Sequence, residues 1–231
     1  MAQQMRRQFV KFNFFKIDPA WRRLPAGERE AGKRAFQGVL ERYADRMILR
    51  TYSLVGIRGD CDFMLWTISE DLDVFPPFMA ELLATGLGNY ASLPYSYLSQ
   101  TRRSMYVDKH RHEGQEGTRL TVTPGKAKYL FVYPFVKTRA WYALPKERRQ
   151  AMMDVHIKVG HEFPSVKLNT TYSYGLDDQE FVLAFESDHP SDFLDLVMVL
   201  RETEASAYTE RDTPIFTCIA MPPGEMLDLV G

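Results

Sequence analysis

The feature that most constrains the fold of this chain is an internal repeat. Similar segments recur in the same order at an offset of 120 residues. Residues 9–25 read FVKFNFFKIDPAWRRLP, and residues 129–145 read YLFVYPFVKTRAWYALP. Self-similarity at one fixed offset indicates two copies of one structural unit. The landmarks that share this register are Trp21 with Trp141, Leu24 with Leu144, Pro25 with Pro145, Thr51–Ser53 with Thr171–Ser173, and Pro94 with Pro214.

Each copy carries the same predicted order of elements. A strand is followed by Leu-Pro, and proline suits the first turn of the helix that comes next. Two strands then form a hairpin around GIRGD or GLDD, and a second helix and a last strand complete the copy. The predicted strands cover 9–17, 48–57, 61–68 and 94–101, then 129–138, 166–174, 179–186 and 214–220, and the second helices cover 71–85 and 190–207.

This order is β-α-β-β-α-β, the ferredoxin-like arrangement, in which both helices cover one face of an antiparallel sheet. We therefore predict an α+β fold of two tandem ferredoxin-like repeats, whose sheets form a barrel-like antiparallel sheet with helices outside. The predicted domains are an N-terminal half at 1–103, a linker or lid loop at 104–128, and a C-terminal half at 129–231 that carries the candidate site. The linker is polar and glycine-bearing, and loops of this length within a compact domain are often functional.

Composition excludes several classes of function. The 231 residues are 45% hydrophobic with a formal net charge of −1, which allows a core and gives no overall field that favours nucleic acid. The start, MAQQMRRQ, lacks the apolar segment of a secretory signal, and no apolar run approaches the roughly 20 residues that span a bilayer. Cys61 and Cys218 lie in apolar segments, as expected of buried thiols in a reducing compartment. We therefore expect a cytoplasmic protein.

Differences between the copies point to residues that serve one copy only, since residues that serve the shared fold should match. His156 lies on the apolar helix face of AMMDVHIKVGHEF (151–163), where the first copy has Phe36. Glu204 continues the apolar stripe of the next helix, where the first copy has Ala84. These helices should be neighbours, so a hydrogen-bonded His–Glu pair is one interpretation. A histidine satisfied within the core and a glutamate at a solvated helix end are the alternative.

A single histidine without nearby cysteines is a poor zinc site but a sufficient axial ligand for haem. Haem also needs an apolar pocket and donors for its propionates. Aromatic and basic residues near the start of the second copy could supply them: Tyr129, Tyr133, Lys137, Arg139, Trp141 and Tyr142. Half of these would alternate into the core or onto the surface in any strand. His110 and His112 in the linker lack a third ligand, which favours a solvated loop there.

Longer motifs resemble the chlorite dismutase family. They are FVYPFVKTRAWYALPKERRQAMMDVH (131–156), YGLDDQEFVLAFES (174–187) and LRETEASAY (200–208). The resemblance covers essentially the whole chain, including TYSLVGIRGDCDFMLW (51–66), and is strongest over 129–217. Within the family the chain is most similar to the coproheme decarboxylases of haem biosynthesis. The resemblance implies the doubled ferredoxin-like barrel, assembled as a homopentamer.

The resemblance also implies roles for individual residues. His156 matches the proximal haem ligand, and Glu204 matches the acidic residue that hydrogen-bonds it. Tyr133 matches the tyrosine that becomes a radical and attacks the reactive propionates, a residue that chlorite dismutases lack. The other matches are Tyr106, Arg119, Lys137 and Ser206 near the propionates and Trp141 beside the macrocycle.

The chain departs from the family pattern on the distal side of the haem. Leu168, or Asn169 if the gap is moved, stands where chlorite dismutases have an arginine, and neither supplies a charged donor. Lys167 should point to the other face of its strand. Met105 stands where many coproheme decarboxylases have asparagine. The distal base stays open between His110, His112 and none.

The resemblance thus predicts an oxidoreductase. Its substrate and cofactor would be iron-coproporphyrin III (coproheme), and it would convert two propionates to vinyls with hydrogen peroxide, giving haem b. A ferrochelatase is a possible substrate donor. The alternatives are a non-enzymatic haem-binding or haem-transfer protein, a chlorite dismutase-like haem peroxidase, and a barrel protein without a cofactor.

Overall fold

The structure is a computed structural model of the chain that describes residues 7–106 and 121–231. The described residues form two compact units. Residues 7–98 together with 217–231 are the N-terminal unit, and the described residues of 99–216 are the C-terminal unit.

The secondary structure of the described residues follows the predicted order in both copies. The strands are β1 (Phe9–Ile17), β2 (Ile48–Ser53), β3 (Phe63–Ser69), β4 (Ala91–Gln100), β5 (Tyr129–Lys137), β6 (Lys167–Tyr172), β7 (Phe181–Ser187), β8 (Thr209–Arg211) and β9 (Phe216–Ala220). The helices are α1 (Ala26–Tyr43), α2 (Phe75–Leu83), α3 (Arg139–Ala143), α4 (Lys146–His161), α5 (Pro190–Glu202) and α6 (Pro223–Asp228). Short 3₁₀ turns cover Trp21–Arg23, Leu72–Val74, Gly88–Tyr90 and Glu204–Tyr208.

In the N-terminal unit the strand order is β4-β1-β3-β2, which is the ferredoxin-like order. Phe15 on β1 pairs in register with Phe63 on β3, and their rings stack with centroids 4.7 Å apart. Phe36 of α1 packs edge-on against both rings. Because side chains alternate along a strand, one face of this sheet meets the helices and forms the core.

The last 15 residues of the chain also belong to the N-terminal unit. Ile219 and Ala220 of β9 pair antiparallel with β2, and Met226 and Leu227 of α6 are buried in the same core as Phe15. The repeat predicted β9 only as the closing strand of the second copy. This pairing with β2 joins residues far apart in the sequence, which a local pattern does not reveal.

The C-terminal unit contains the pairings β5–β7, β6–β7 and β5–β8, all antiparallel. Tyr133 lies opposite Leu183, and Leu168 lies opposite Phe185. The face of the sheet that carries these residues packs against Phe193 of α5 and is called here the helix-facing side. Helix α4 begins after Pro145, as the repeat predicted.

Helix α5 is shorter than predicted. It ends at Glu202 because Thr203 leaves the helical conformation with a ψ of 149°, and a 3₁₀ turn follows at Glu204–Tyr208. The apolar stripe of α5 therefore does not continue to Glu204.

The predicted α+β class, with antiparallel sheet and helices, is confirmed. No helix among the described residues is both long and apolar enough to cross a membrane. Cys61 and Cys218 are buried and free, as predicted.

Candidate active site

His156 lies on α4 between two apolar clusters of the C-terminal unit. Met152, one turn earlier on the same helix face, packs with Trp141. Val159, one turn later, packs against the cluster that contains Tyr133. Residues three and four apart share a helix face, so the imidazole projects between the two clusters toward the helix-facing side of the sheet.

The surroundings of His156 keep its imidazole neutral. Burial removes the water that would stabilise the imidazolium, and the Lys137 ammonium repels it, so the pKa of His156 falls to about 4. Within the described residues the imidazole has no hydrogen-bond partner. A neutral histidine with an unshared nitrogen lone pair near pH 7 is suited to ligate a metal.

Lys137 is a buried cation at the end of β5. Its Nζ donates to the carbonyl oxygen of Ala205 at 2.6 Å and lies 4.7 Å from the ring centroid of Trp141. Burial lowers the pKa of Lys137 to about 8. Trp141 is also buried and contacts Tyr106 and Tyr208 edge-on or tilted. Positive charge and aromatic surface therefore adjoin His156.

Tyr133 lies on the helix-facing side and is only 7% exposed. Its ring stacks on Phe185 with centroids 5.9 Å apart. Burial raises the pKa of Tyr133 well above its usual range, so the phenol keeps its proton near neutral pH. No group in the described residues hydrogen-bonds the phenol oxygen.

The structure does not join Glu204 to His156 as the sequence pattern suggested. Glu204 is half exposed, and its Oε1 accepts a hydrogen bond from Arg148 Nη2 at 2.5 Å. The reason is the early end of α5, which turns Glu204 out of the apolar stripe. Among the described residues, Glu204 forms an exposed ion pair, and the expectation that it lies on the core side of its helix is wrong.

Leu168 and Asn169 face opposite sides of β6. Leu168 lies on the helix-facing side opposite Phe185, is 38% exposed, and offers no polar group. Asn169 is buried on the other side, where its Nδ2 donates to Glu186 Oε1 at 2.8 Å. Lys167 shares that side, as predicted, and its Nζ donates to the carbonyl oxygen of Thr123.

Of the remaining predicted site residues, the structure describes Tyr106 and Ser206. Tyr106 packs against Trp141, and its carbonyl oxygen accepts from Gln150 Nε2 at 3.0 Å. Ser206 lies half-buried in the 3₁₀ turn beside Ala205. Arg119, His110 and His112 lie outside the described residues.

Sequence reasoning missed Arg149 on α4. Its Nε is buried and has no hydrogen-bond partner in the described residues, and its Nη1 lies 3.5 Å from the Tyr106 hydroxyl. The first copy has Arg29 at the matching position, so a comparison that looked for differences passed over it. The available signal was its spacing, seven residues before His156 and so on nearly the same helix face.

The side chains near His156 suit a metal that is already held by a porphyrin better than a bare metal ion. The described residues contain no cluster of three or more histidine, cysteine or acidic side chains that could hold a metal ion. A porphyrin supplies the equatorial donors itself and needs one axial nitrogen from the protein. The neutral His156 has the chemistry of such a ligand, and the Lys137 ammonium brings positive charge near it.

Comparison with known proteins identifies relatives across nearly the whole chain. A family model described as chlorite dismutase matches residues 29–221. A coproheme decarboxylase from Mycolicibacterium smegmatis is 32% identical over 72% of this chain and 70% of its own. A chlorite dismutase from Ideonella dechloratans is 26% identical over 88% of this chain and 72% of its own. A solved chlorite dismutase variant from Candidatus Nitrospira defluvii matches with a TM-score of 0.87 and 25% identity, covering 97% of this chain and 95% of its own.

Proposed function

The chain belongs to the chlorite dismutase family, and from this premise we propose that it is a coproheme decarboxylase, which converts iron-coproporphyrin III to haem b with hydrogen peroxide. The observation that carries the proposal is Tyr133. A buried, protonated phenol without a hydrogen-bond partner lies on the same side of the sheet as the neutral His156. A haem peroxidase or a haem carrier does not need this phenol.

The chain's own residues would bind and orient the substrate. His156 would ligate the iron, and the apolar residues around Phe185 and Met152 would contact the macrocycle. The Lys137 ammonium would pair with the negative charge of a propionate carboxylate. Such a local ion pair does not require a net positive charge on the whole protein. Trp141, beside the Lys137 ammonium, would help to fix the direction in which that cation points.

In each round a propionate, one hydrogen peroxide and one proton give a vinyl group, carbon dioxide and two waters. The iron porphyrin supplies the redox chemistry when bound with peroxide. Tyr133 would lose the hydrogen atom of its phenol and take one back from the propionate β-carbon. Because no neighbour in the described residues holds that hydrogen, it is free to be passed between the two groups.

The distal side favours decarboxylation over chlorite dismutation. Leu168 brings no charge to the helix-facing side, and Asn169 is bonded to Glu186 on the opposite side of the strand. A dismutase needs a charged distal donor in this region, as the family resemblance implies.

The test is to titrate the purified apo-protein with iron-coproporphyrin III, add hydrogen peroxide, and follow the porphyrin by mass spectrometry. We expect stepwise loss of two carboxyl groups. Tyr133→Phe should bind the porphyrin but not decarboxylate it. Tyr90→Phe, at a tyrosine of the N-terminal unit, is the control and should retain turnover. Tight binding by the wild type without any loss of carboxyl groups would overturn the proposal.

A further inference from the structure

The phenol of Tyr133 has one charged pair beside it in an otherwise apolar setting. The side chains of its cluster come from β5, β7, α4, α5 and the segment before β9, and they include Phe131, Leu183, Phe185, Val159, Phe193, Leu196 and Ile215. Tyr129 is the one other titratable side chain that the described cluster contains. Beyond burial, which is the main cause, the pKa of Tyr133 is raised by the carboxylate of Asp212 and lowered by the guanidinium of Arg201. These two groups are therefore the charges that act on the phenol in the described part of the chain.

The pairing of β8 with β5 brings Asp212 toward Tyr133. Arg211, the last residue of β8, pairs with Val136, three residues after Tyr133. Because these strands are antiparallel, the chain runs from Arg211 back along β5 in the direction of Tyr133, and Asp212 is its next residue. The Asp212 side chain is only 18% exposed. It is thus a largely buried carboxylate at the edge of an apolar cluster, where charge interactions are stronger than in water.

Arg201 fixes the direction of the Asp212 carboxylate. It lies in the last turn of α5, and its Nη2 donates to Asp212 Oδ2. Leu200, the residue before it, packs against the Tyr133 cluster, so the ion pair lies at the rim of that cluster. The Arg201 side chain is 50% exposed, and water and salt screen its charge more than that of Asp212. The carboxylate accordingly acts on the phenol more strongly than the guanidinium does.

A net negative charge beside a phenol affects the loss of a proton and the loss of an electron in opposite ways. It opposes the loss of the proton alone, because that would place a second negative charge nearby. It favours the loss of an electron, because the positive charge left on the ring is attracted to the carboxylate. An oxidised phenol is a strong acid, and a carboxylate within reach then takes its proton. Asp212 has the charge and the position for both roles.

We propose that Asp212, held by Arg201, accepts the proton of Tyr133 when this phenol is oxidised by one electron. The inference rests on the proposed function, in which hydrogen peroxide is the oxidant. Tyr133 gives its electron to the peroxide-oxidised substrate complex and its proton to Asp212, and a neutral phenoxyl remains. The partly exposed Asp212 carboxylate allows a bridging water to carry this proton. The phenoxyl takes a hydrogen atom from the propionate β-carbon, which restores the phenol. Asp212 then releases its proton to water, and the reduction of peroxide consumes it.

The first test is made on the apo-protein, so that it does not depend on turnover. Tyr133 is replaced by a trifluorinated tyrosine, whose phenol is far more acidic than that of tyrosine, and its pKa is read by fluorine NMR. Asp212→Asn should lower this pKa, since a negative charge is removed, and Arg201→Gln should raise it. Glu210→Gln removes an exposed carboxylate of β8 and is the matched control, which should leave the pKa unchanged. A pKa that Asp212→Asn does not lower would overturn the inference. If Asp212→Asn does not fold, the absence of a rise in Arg201→Gln overturns it instead.

The second test measures turnover with iron-coproporphyrin III and hydrogen peroxide. Asp212→Asn should retain the Kd for the porphyrin and lower the rate of carboxyl loss by about a hundredfold, at the low end of the range for a proton acceptor. Arg201→Gln breaks the same ion pair but keeps the carboxylate, so it should lower the rate far less. Equal losses in the two variants, as a structural role would give, or an unchanged rate in Asp212→Asn would overturn the inference and leave the proposed function standing. A wild type that does not decarboxylate would overturn both.

Discussion

Asp60 illustrates how a single carboxylate stabilises a turn of the N-terminal unit. Its oxygens accept hydrogen bonds from Arg58 Nε at 2.7 Å, from Arg58 Nη2 at 2.5 Å and from the Tyr95 hydroxyl at 2.9 Å. The Arg58 guanidinium is the main reason that the pKa of Asp60 lies far below its usual range, and Tyr95 adds to it. The ionised form is therefore favoured in the folded state.

We predict that Asp60→Asn lowers the free energy of unfolding at pH 7 by about 1 kcal/mol, a small value because the side chain is partly exposed. Since the folded pKa is depressed, the stabilisation is fully present above the unfolded pKa of about 4, begins to fall below it, and is lost completely only as the pH falls through the lower folded pKa. Urea denaturation at pH 7 and pH 3 measures this. Equal differences between variant and wild type at both pH values would contradict it, and Asp45→Asn, at an exposed position, is the control.

The sequence identified some residues of the candidate site and missed or misplaced others. Comparison of the copies singled out His156, because a titratable group replaced Phe36 on a shared helix face. It passed over Arg149, because both copies keep arginine there and the Nε of both arginines is buried without a hydrogen-bond partner in the described residues. It placed Glu204 wrongly, because the end of α5 depends on backbone angles at Thr203 that the apolar stripe does not encode.

At the scale of elements, the turn after α2 depends on Gly88. A side-chain carbon built there would lie 2.0 Å from the carbonyl oxygen of Leu82 and 2.7 Å from the Cα of Leu83, so backbone would have to move. Gly27, in the first turn of α1, would meet nothing within 4 Å. Substitution of glycine by alanine is therefore expected to have opposite effects on stability at Gly88 and at Gly27.

We predict that Gly88→Ala destabilises the protein by about 3 kcal/mol or more, because overpacking against backbone cannot be relieved by a rotamer change. Gly27→Ala should be neutral or stabilise by up to about 1 kcal/mol, since alanine is the better helix former. Thermal melting of both variants decides this. A Gly88→Ala protein as stable as the wild type would show that the turn is less tightly packed than described.

Elements whose signal is local were predicted well. Leu-Pro marked the starts of the long helices α1 and α4, and the turn residues of GIRGD and GLDD marked both hairpins. The pairing of β9 with β2 has no local signal, because it is fixed by contacts between residues about 170 positions apart, such as the Thr51 hydroxyl with the Met221 carbonyl oxygen.

At the scale of the whole molecule, the two ends of the sequence contribute to one core. Leu227 is 1% exposed among the residues around Phe15, and Lys33 of α1 bonds Asp228 at 2.8 Å. Leu229, two positions on, is 48% exposed. The end of the chain is thus an integral layer of the N-terminal unit.

We predict that Leu227→Ala costs about 2–5 kcal/mol, as core truncations do, whereas Leu229→Ala costs little. Hydrogen exchange followed by mass spectrometry locates the effect. Protection should fall first in peptides from β1, β3 and α1 of the N-terminal unit. A loss confined to peptides of the C-terminal unit would contradict the assignment of residues 217–231.

This arrangement has a consequence for the order in which the protein is made. A ribosome releases residues 7–98 early, then all of the C-terminal unit, and only afterwards the residues 217–231 that complete the first core. Domains generally fold as their residues emerge, so the C-terminal unit can finish first. The core of the half that is synthesised first is therefore completed only when residues 217–231, the last part of the sequence, have been added.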